Sequence, residues 1–312
     1  MTDKQRAWAA IHNQQPDKVP HFELVFQIPE QAFGMSWPTA EEARAASPAE
    51  RAKLFDRFIE INERIIDRYH WGAIAVPTEL TGFYGIPRPI EEAKRRLGDK
   101  TLIYDWNGQG TFWLMDGQGM MDFSIRLFER PEDVHREARA KCEASKALAR
   151  EQVDQGVDFI CINSDYAFNR GPFISPKMFA EFVTPYLHEI VDEIHRLGVK
   201  AMLHSDGDLS RVLDQLVSTG LDGYQSVDPQ GGMDIKQVKA DYGDRLFLMG
   251  NVQSAMLQDT DEDKIRQSVR YAMEHGKPGG GFILSTSNCI FNGMPLESYH
   301  VMLDEYEKLA WY

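Results

Sequence analysis

Cysteine is scarce in this chain: Cys142, Cys161 and Cys289 stand far apart among 312 residues. Their odd number and wide spacing argue against a disulfide framework and fit a reducing compartment, so a cytoplasmic location is expected. Basic residues are also in deficit, with 34 Lys and Arg against 48 Asp and Glu and a net charge of -14. Nucleic-acid phosphates call for clustered cations, and the one dense group, Lys94-Arg95-Arg96, follows Glu91 and Glu92 like a solvated helix face. DNA and RNA are therefore not expected partners. No apolar run approaches the roughly 18 residues of a membrane span, and Met1-Thr2-Asp3-Lys4-Gln5-Arg6 leads into a polar helix rather than an apolar signal core. No membrane association is expected. No G-x-G-x-x-G follows a strand-like run, which counts against a dinucleotide-binding sheet. No low-complexity tract or linker interrupts the chain, so residues 1–312 are expected to form a single domain.

What the chain does have is alternation. Apolar strand-like runs alternate with amphipathic helical stretches, the pattern of an α/β fold. Residues 3–14 read as a helix, Val19 to Phe26 as a first strand, Pro48 to Tyr69 as a helix and Gly72 to Pro77 as a strand. After residue 156 five strand–helix units follow: strands at Phe159 to Ile162, Val199 to His204, Leu221 to Val227, Arg245 to Gly250 and Phe282 to Ser285. The intervening helices span Pro176 to Leu197, Leu209 to Thr219, Ile235 to Tyr242, Asp261 to His275 and Leu296 to Leu309. This spacing predicts a (β/α)8 TIM-type barrel rather than an open sheet. Around residues 80–130 the pattern is irregular: Thr101 to Asp105, Thr111 to Met115 and Asp122 to Leu127 read as short strands of an insertion, before Pro131-Glu132-Asp133 opens a long helix.

In such a barrel the chemistry sits at the C-terminal strand ends. Those positions hold His21, Glu23 and Gln27; Thr78 and Glu79; Asn163, Ser164, Asp165, Tyr166 and Arg170; His204, Asp206 and Asp208; Gln225 and Asp228; Asn251 and Gln253; and Ser285, Ser287, Asn288 and Cys289. His204-Ser205-Asp206 is the most informative step, because residues i and i+2 of an extended segment project to one side. The pair reads as a divalent-metal site, an acid/base couple or a hydrogen-bonded ion pair. Asp165 in an apolar mouth suits general acid/base work, with Arg170 as its partner or as a clamp for a substrate carboxylate. Glu23 or Glu79 are candidates to complete a metal site with His204 and Asp206, as is Cys289. Among the aromatic residues, Phe22, Phe26, Phe83, Tyr84, Phe112, Trp113, Phe168, Tyr224 and Phe291 are candidates to wall a pocket.

Several ordered motifs resemble the uroporphyrinogen decarboxylase superfamily. They are Gln15-Pro16-Asp17-Lys18-Val19-Pro20, Gly171-Pro172-Phe173-Ile174-Ser175-Pro176 with the Phe-Val-x-Pro-Tyr helix at 182–186, and the His204-Ser205-Asp206-Gly207-Asp208 turn. Met233-Asp234-Ile235, Gly243-Asp244-Arg245 with Gly250-Asn251-Val252, and Gly279-Gly280-Gly281-Phe282-Ile283-Leu284 complete the set. The resemblance implies a (β/α)8 barrel with its cleft at the strand C-termini. It also implies one of two chemistries. The haem-pathway decarboxylase takes an acidic tetrapyrrole with an arginine-rich segment after the first strand, where this chain reads Phe22-Glu23-Leu24-Val25-Phe26-Gln27-Ile28. The corrinoid-dependent methyltransferases bind zinc through H-x-C and a later cysteine. His204 matches that histidine, Asp206 stands at the first cysteine, and Asn288 falls at the second with Cys289 adjacent.

The resemblance thus implies a methyltransferase of a cobalamin-dependent system with an oxygen-rich site suited to O-demethylation of a methoxylated small molecule. Its partners would be that methyl donor and a corrinoid protein, with zinc or another divalent metal as an expected cofactor. Asp165, His204, Asp206 and Glu23 are the expected catalytic residues, with metal at His204, Asp206 and Cys289. Tyr166, Arg170, Glu79, Phe168, Tyr224, Asn251 and Asn288 are the expected substrate contacts. A decarboxylase of a tetrapyrrole or small acid, and a ligand-binding barrel without catalysis, are the alternatives.

Overall fold

The computed structural model describes residues 1–108 and 110–312. Among them are nine short strands: β1 (Ala73–Ala75), β2 (Leu102–Trp106), β3 (Phe159–Asn163), β4 (Ala167–Phe168), β5 (Gly171–Pro172), β6 (Lys200–His204), β7 (Gly223–Ser226), β8 (Phe247–Val252) and β9 (Phe282–Thr286). Seven of these pair in parallel in the order β1-β2-β3-β6-β7-β8-β9, while β4 and β5 form a small antiparallel hairpin. The parallel strands are covered on both faces, which is why Phe159-Ile160-Cys161-Ile162 and its counterparts read as unbroken apolar runs.

Residues 19–27 close the curled sheet as an eighth stave. His21 bridges both Trp71 and Leu284, and Phe26 bridges Ile290. The seam is carried by Leu284 N–H to Pro20 O at 3.0 Å, Gly72 N–H to His21 O at 3.0 Å, Ile290 N–H to Val25 O at 3.0 Å and Gln27 N–H to Ile290 O at 2.7 Å. The expected strand Val19 to Phe26 is therefore present only as bridged points. The chain bends at Leu24, and the Thr286 N–H that a ladder carbonyl would receive is taken by the Glu23 side chain at 2.9 Å.

Helices wrap the barrel, and their starts follow local chemistry. Ser47 and Glu50 form a capping box ahead of Pro48–Tyr69, and Pro131 opens Pro131–Asp154 with Glu132 and Asp133 in its first turn. Inside the barrel, Tyr104 and Phe159 stack with centroids 4.8 Å apart beneath Phe22. Gly223 is small because the Phe247 ring fills the space a Cβ would enter, 2.2 Å away.

Three local expectations are corrected. Leu102–Trp106 is a barrel strand paired with both β1 and β3, not part of an insertion. Asp122 to Leu127 lies inside the helix Gly117–Glu129, capped by Asp116. Its polar–apolar alternation mimics a strand because the exposed Ile125 stands in sequence midway between Phe123 and Leu127, which face inward. What stays irregular is the loop after β2. The helix expected over Pro176 to Leu197 is split into Pro176–Phe182 and Thr184–Arg196, since Pro185 has no N–H and its ring crowds the preceding turn. Among the described residues no helix is long and apolar enough to cross a membrane.

Candidate active site

Parallel register assembles the site. Asn163 on β3 lies opposite His204 on β6, so two residues beyond each of them Asp165 and Asp206 meet. The Asp206 N–H donates to Asp165 Oδ1 at 3.1 Å. His204 lies opposite Gln225 on β7, and neighbours across a parallel ladder project to the same face. Gln225 Nε2 donates to the Thr286 and Ser287 carbonyls at 3.3 and 3.4 Å, which turns its Oε1 onto His204 Nδ1. An amide oxygen can only accept, so Nδ1 carries a proton, and in the neutral imidazole Nε2 is then the atom with the lone pair. That Nε2 lies 3.7 Å from Asp165 Oδ1 and 4.0 Å from Asp206 Oδ2.

Asp206 is held on both oxygens: Ser226 Oγ donates to Oδ1 at 2.7 Å, and the Asn288 side-chain amide donates to Oδ2. Burial pushes its carboxyl up, an effect that His204 opposes. Ser226 and Val227 carry φ of +107° and +46°, a costly conformation for residues with a Cβ and one that clusters at functional sites. Here the strain delivers the Ser226 hydroxyl. Gly207, with φ of +84°, turns the chain out of the site where a Cβ would lie 2.6 Å from Ala167 O.

Asp165, His204 and Asp206 thus offer three ligand atoms within 4.8 Å of one another. One imidazole lone pair and two carboxylates fit a divalent ion of hard or borderline character. The other such grouping among the described residues, Cys142, Glu143 and Glu189, sits on outer helices with Arg139 and Lys146 paired to its carboxylates.

The remaining expected site residues divide by location. Tyr166, Tyr224 and Asn251 brace the site from behind: Tyr166 is buried against Phe173 and Phe179, the Tyr224 hydroxyl donates to Ser205 O at 3.2 Å, and Asn251 Nδ2 donates to Val227 O at 3.0 Å. Phe168 and Arg170 are exposed on the β4–β5 hairpin, and Arg170 makes no ion pair with Asp165 among the described residues. Glu79 is exposed ahead of the helix Leu80–Tyr84, outside the ligand cluster. Cys289 is also outside it, its thiol pushed up to about 12 by burial and then by the charges of Glu23 and Asp206.

Glu23 is fully buried in the barrel seam, bonded to Thr286 at the C-terminal end of β9 and outside the ligand cluster. Its Oε2 accepts from Thr286 N–H and Oγ1 at 2.9 and 2.7 Å, Oε1 has no partner among the described residues, and burial pushes the carboxyl up to about 8.

A second feature lies against the first stave, β1, β2 and the helix Pro48–Tyr69: an apolar cavity of about 240 Å³. Of the aromatic residues singled out in the sequence only Phe26 lines it, beside Trp37, Phe58, Trp71 and Trp106. These four come from a loop, a helix and two staves, and no local sequence pattern joins them. Phe22, Phe112 and Tyr224 are core instead.

The model of the family described as uroporphyrinogen decarboxylase (URO-D) matches residues 112–309, more than half of the chain. Uroporphyrinogen decarboxylase of Pseudoalteromonas atlantica is 25% identical over 59% of this chain and 50% of its own length. That of Herminiimonas arsenicoxydans is 22% identical over 76% and 67%. The matches thus span about half to two thirds of these relatives. Among solved structures, a methyltransferase from Methanosarcina mazei superposes with a TM-score of 0.76 at 20% identity, covering 99% of both chains, a likeness of fold. Barrel, rim-borne cluster and family match agree, and the chain belongs to the uroporphyrinogen decarboxylase family.

Proposed function

We propose that this chain is the methyltransferase of a corrinoid-dependent system, taking a methyl group from a methoxylated small molecule. The carrying observation is the ligand set at the mouth: a His204 Nε2 lone pair, fixed by Gln225, facing two carboxylates. A divalent metal, zinc or another, would be held by His204 Nε2, Asp206 Oδ2 and Asp165 Oδ1, and supplies Lewis-acid polarisation of an ether oxygen. Ser226 and Asn288 orient Asp206, and Gln225 keeps the imidazole in the ligating tautomer. In the reaction the methyl–oxygen bond breaks with its electron pair left on oxygen. A corrinoid presented by a partner protein would supply the nucleophile that accepts the methyl group. The departing oxygen takes one proton, and Asp165, the most exposed carboxylate of the cluster at 36%, is placed to relay it from solvent. The fold shared with the Methanosarcina mazei methyltransferase is compatible with this reading.

The purified, metal-supplied protein mixed with cob(I)alamin and a panel of methyl ethers is expected to produce methylcobalamin, read by its absorption spectrum. Absence of methylation with every donor overturns the proposal. The second reading is decarboxylation, favoured by the names of the curated relatives. Against it, the segment after the first stave carries no arginine to hold a polyacid. Conversion of uroporphyrinogen by the same preparation decides for it.

Gln225→Ala is expected to weaken divalent-metal affinity by about 10–100-fold, the usual effect of losing the group that orients a ligating histidine. Competition with a chromogenic chelator measures it, and unchanged affinity denies Gln225 that role.

A further inference from the structure

We infer that the apolar cavity beside the carboxylate–histidine cluster is a substrate subsite for an uncharged, flat, single-ring group. The inference rests on the methyl-transfer reading and narrows its donor to a ring-bearing methyl ether. Three observations carry it.

The first is connection. The cavity opens among Leu24–Gln27, and that stave is bonded to the loop after β9: Ile290 N–H to Val25 O at 3.0 Å, Gln27 N–H to Ile290 O at 2.7 Å, and Asn292 N–H to Gln27 Oε1 at 3.2 Å. Two residues before Ile290, Asn288 reaches Asp206. On the other side Trp106 is in register with Cys161 on β3, the strand that leads to Asp165. Cavity and cluster are therefore joined through the same loop.

The second is chemistry. None of the lining residues is charged. Five are aromatic, and two of the three indole N–H groups are already committed, Trp37 to Phe26 O at 2.6 Å and Trp71 to the Tyr299 hydroxyl at 3.0 Å. Walls of this kind offer edges and faces to another ring, which pairs of aromatic groups favour beyond simple area burial. Among the described residues Gln27 and Asn62 supply the only side-chain amides. A carboxylate entering here would lose its hydration without gaining a cation.

The third is size. A dry cavity of roughly 150 Å³ accepts benzene, so about 240 Å³ suits one substituted ring. A four-ring polyacid does not fit.

The test separates this inference from the reaction it rests on by measuring binding directly. Methoxybenzene, methoxycyclohexane and methoxybenzoate are titrated into the metal-supplied protein by calorimetry, with wild type, Ala75→Leu and Gln27→Glu. Ala75 lines the cavity and is partly exposed, so a larger side chain there fills it. Gln27 is exposed at its edge, where a charge does not threaten folding. The expected result is that methoxybenzene binds best, that Ala75→Leu weakens it at least 10-fold with metal content unchanged, and that Gln27→Glu weakens methoxybenzoate more than methoxybenzene. Absence of methoxybenzene binding, or equal binding by Ala75→Leu, overturns the subsite even if other ethers methylate cob(I)alamin. Binding with the expected variant pattern but without methyl transfer upholds the subsite and overturns the reaction.

Discussion

His204→Ala is expected to reduce bound divalent metal to background and to lower methyl transfer by more than about 100-fold, the upper end of what losing an outer-shell partner costs. The imidazole is the one neutral donor of the cluster; without it Asp165 and Asp206 are left as two carboxylates facing each other near the mouth. An ion bound there would have only oxygen ligands, and the Gln225 amide that orients Nδ1 would have nothing to orient. His204 is buried, so the variant also leaves a polar cavity, and folding must be checked alongside. Metal analysis with circular dichroism separates the cases: native ellipticity with lost metal and lost activity is the expected pattern. Native ellipticity with full metal content and full activity overturns the assignment of His204 as a ligand.

Glu23→Gln is expected to flatten a fall in stability that the wild-type protein shows as pH rises from about 6.5 to 8. The buried Glu23 carboxyl holds its proton up to about 8, while the unfolded chain releases it near the ordinary value of 4.5. Its contribution is complete below that ordinary value and is lost as pH climbs through 8. His21 works in the opposite sense. Burial pushes its imidazole down to about 4, so its contribution holds above the ordinary 6.5 and is lost as pH falls. Asp105, pushed up to about 6 by burial, acts like Glu23 over a lower window. Between about pH 4.5 and 6.5 the slopes from Glu23 and His21 largely cancel, and above that window Glu23 alone of the three still titrates. Over those last 1.5 or so pH units the loss is about 2 kcal/mol at 1.36 kcal/mol per unit. Glutamine accepts from Thr286 as the protonated acid does but has nothing to titrate. Urea midpoints of both proteins across this range measure the effect, and parallel slopes exclude Glu23 as the source.

How much of this could be read from the chain alone depended on whether the information was local. Helices with a cap and a proline at the first turn, such as Pro48–Tyr69 and Pro131–Asp154, were legible, as were the doubly covered strands after residue 156. The barrel followed from them. The helix Gly117–Glu129 was not legible, because the exposed Ile125, midway in sequence between Phe123 and Leu127, turns a helical period into alternation. In the site, His204 and Asp206 could be paired from their spacing, since two nearby residues of one extended segment suffice. Asp165 was placed near them only as a strand-end residue; its contact with Asp206 depends on the Asn163–His204 register, which no single segment contains. Ser226 was missed for the same reason, and its positive φ leaves no mark in its own identity. That Arg170 and Glu79 stand exposed outside the ligand cluster could not be read either, because a charged residue after a strand looks alike whether the loop turns inward or out to solvent.

The cavity and the cluster also come from different parts of the chain. Every residue lining the cavity lies between Leu24 and Trp106, whereas Asp165, His204, Asp206, Gln225 and Asn288 all lie beyond it. The family model begins to match at Phe112, after the last cavity residue and before the first of the cluster. On the proposed reading, recognition and reaction would therefore be written in consecutive stretches of sequence, and either could drift without rewriting the other. A relative could exchange its ligand by altering the first third of the chain alone, while the later strands went on presenting the same histidine and carboxylates.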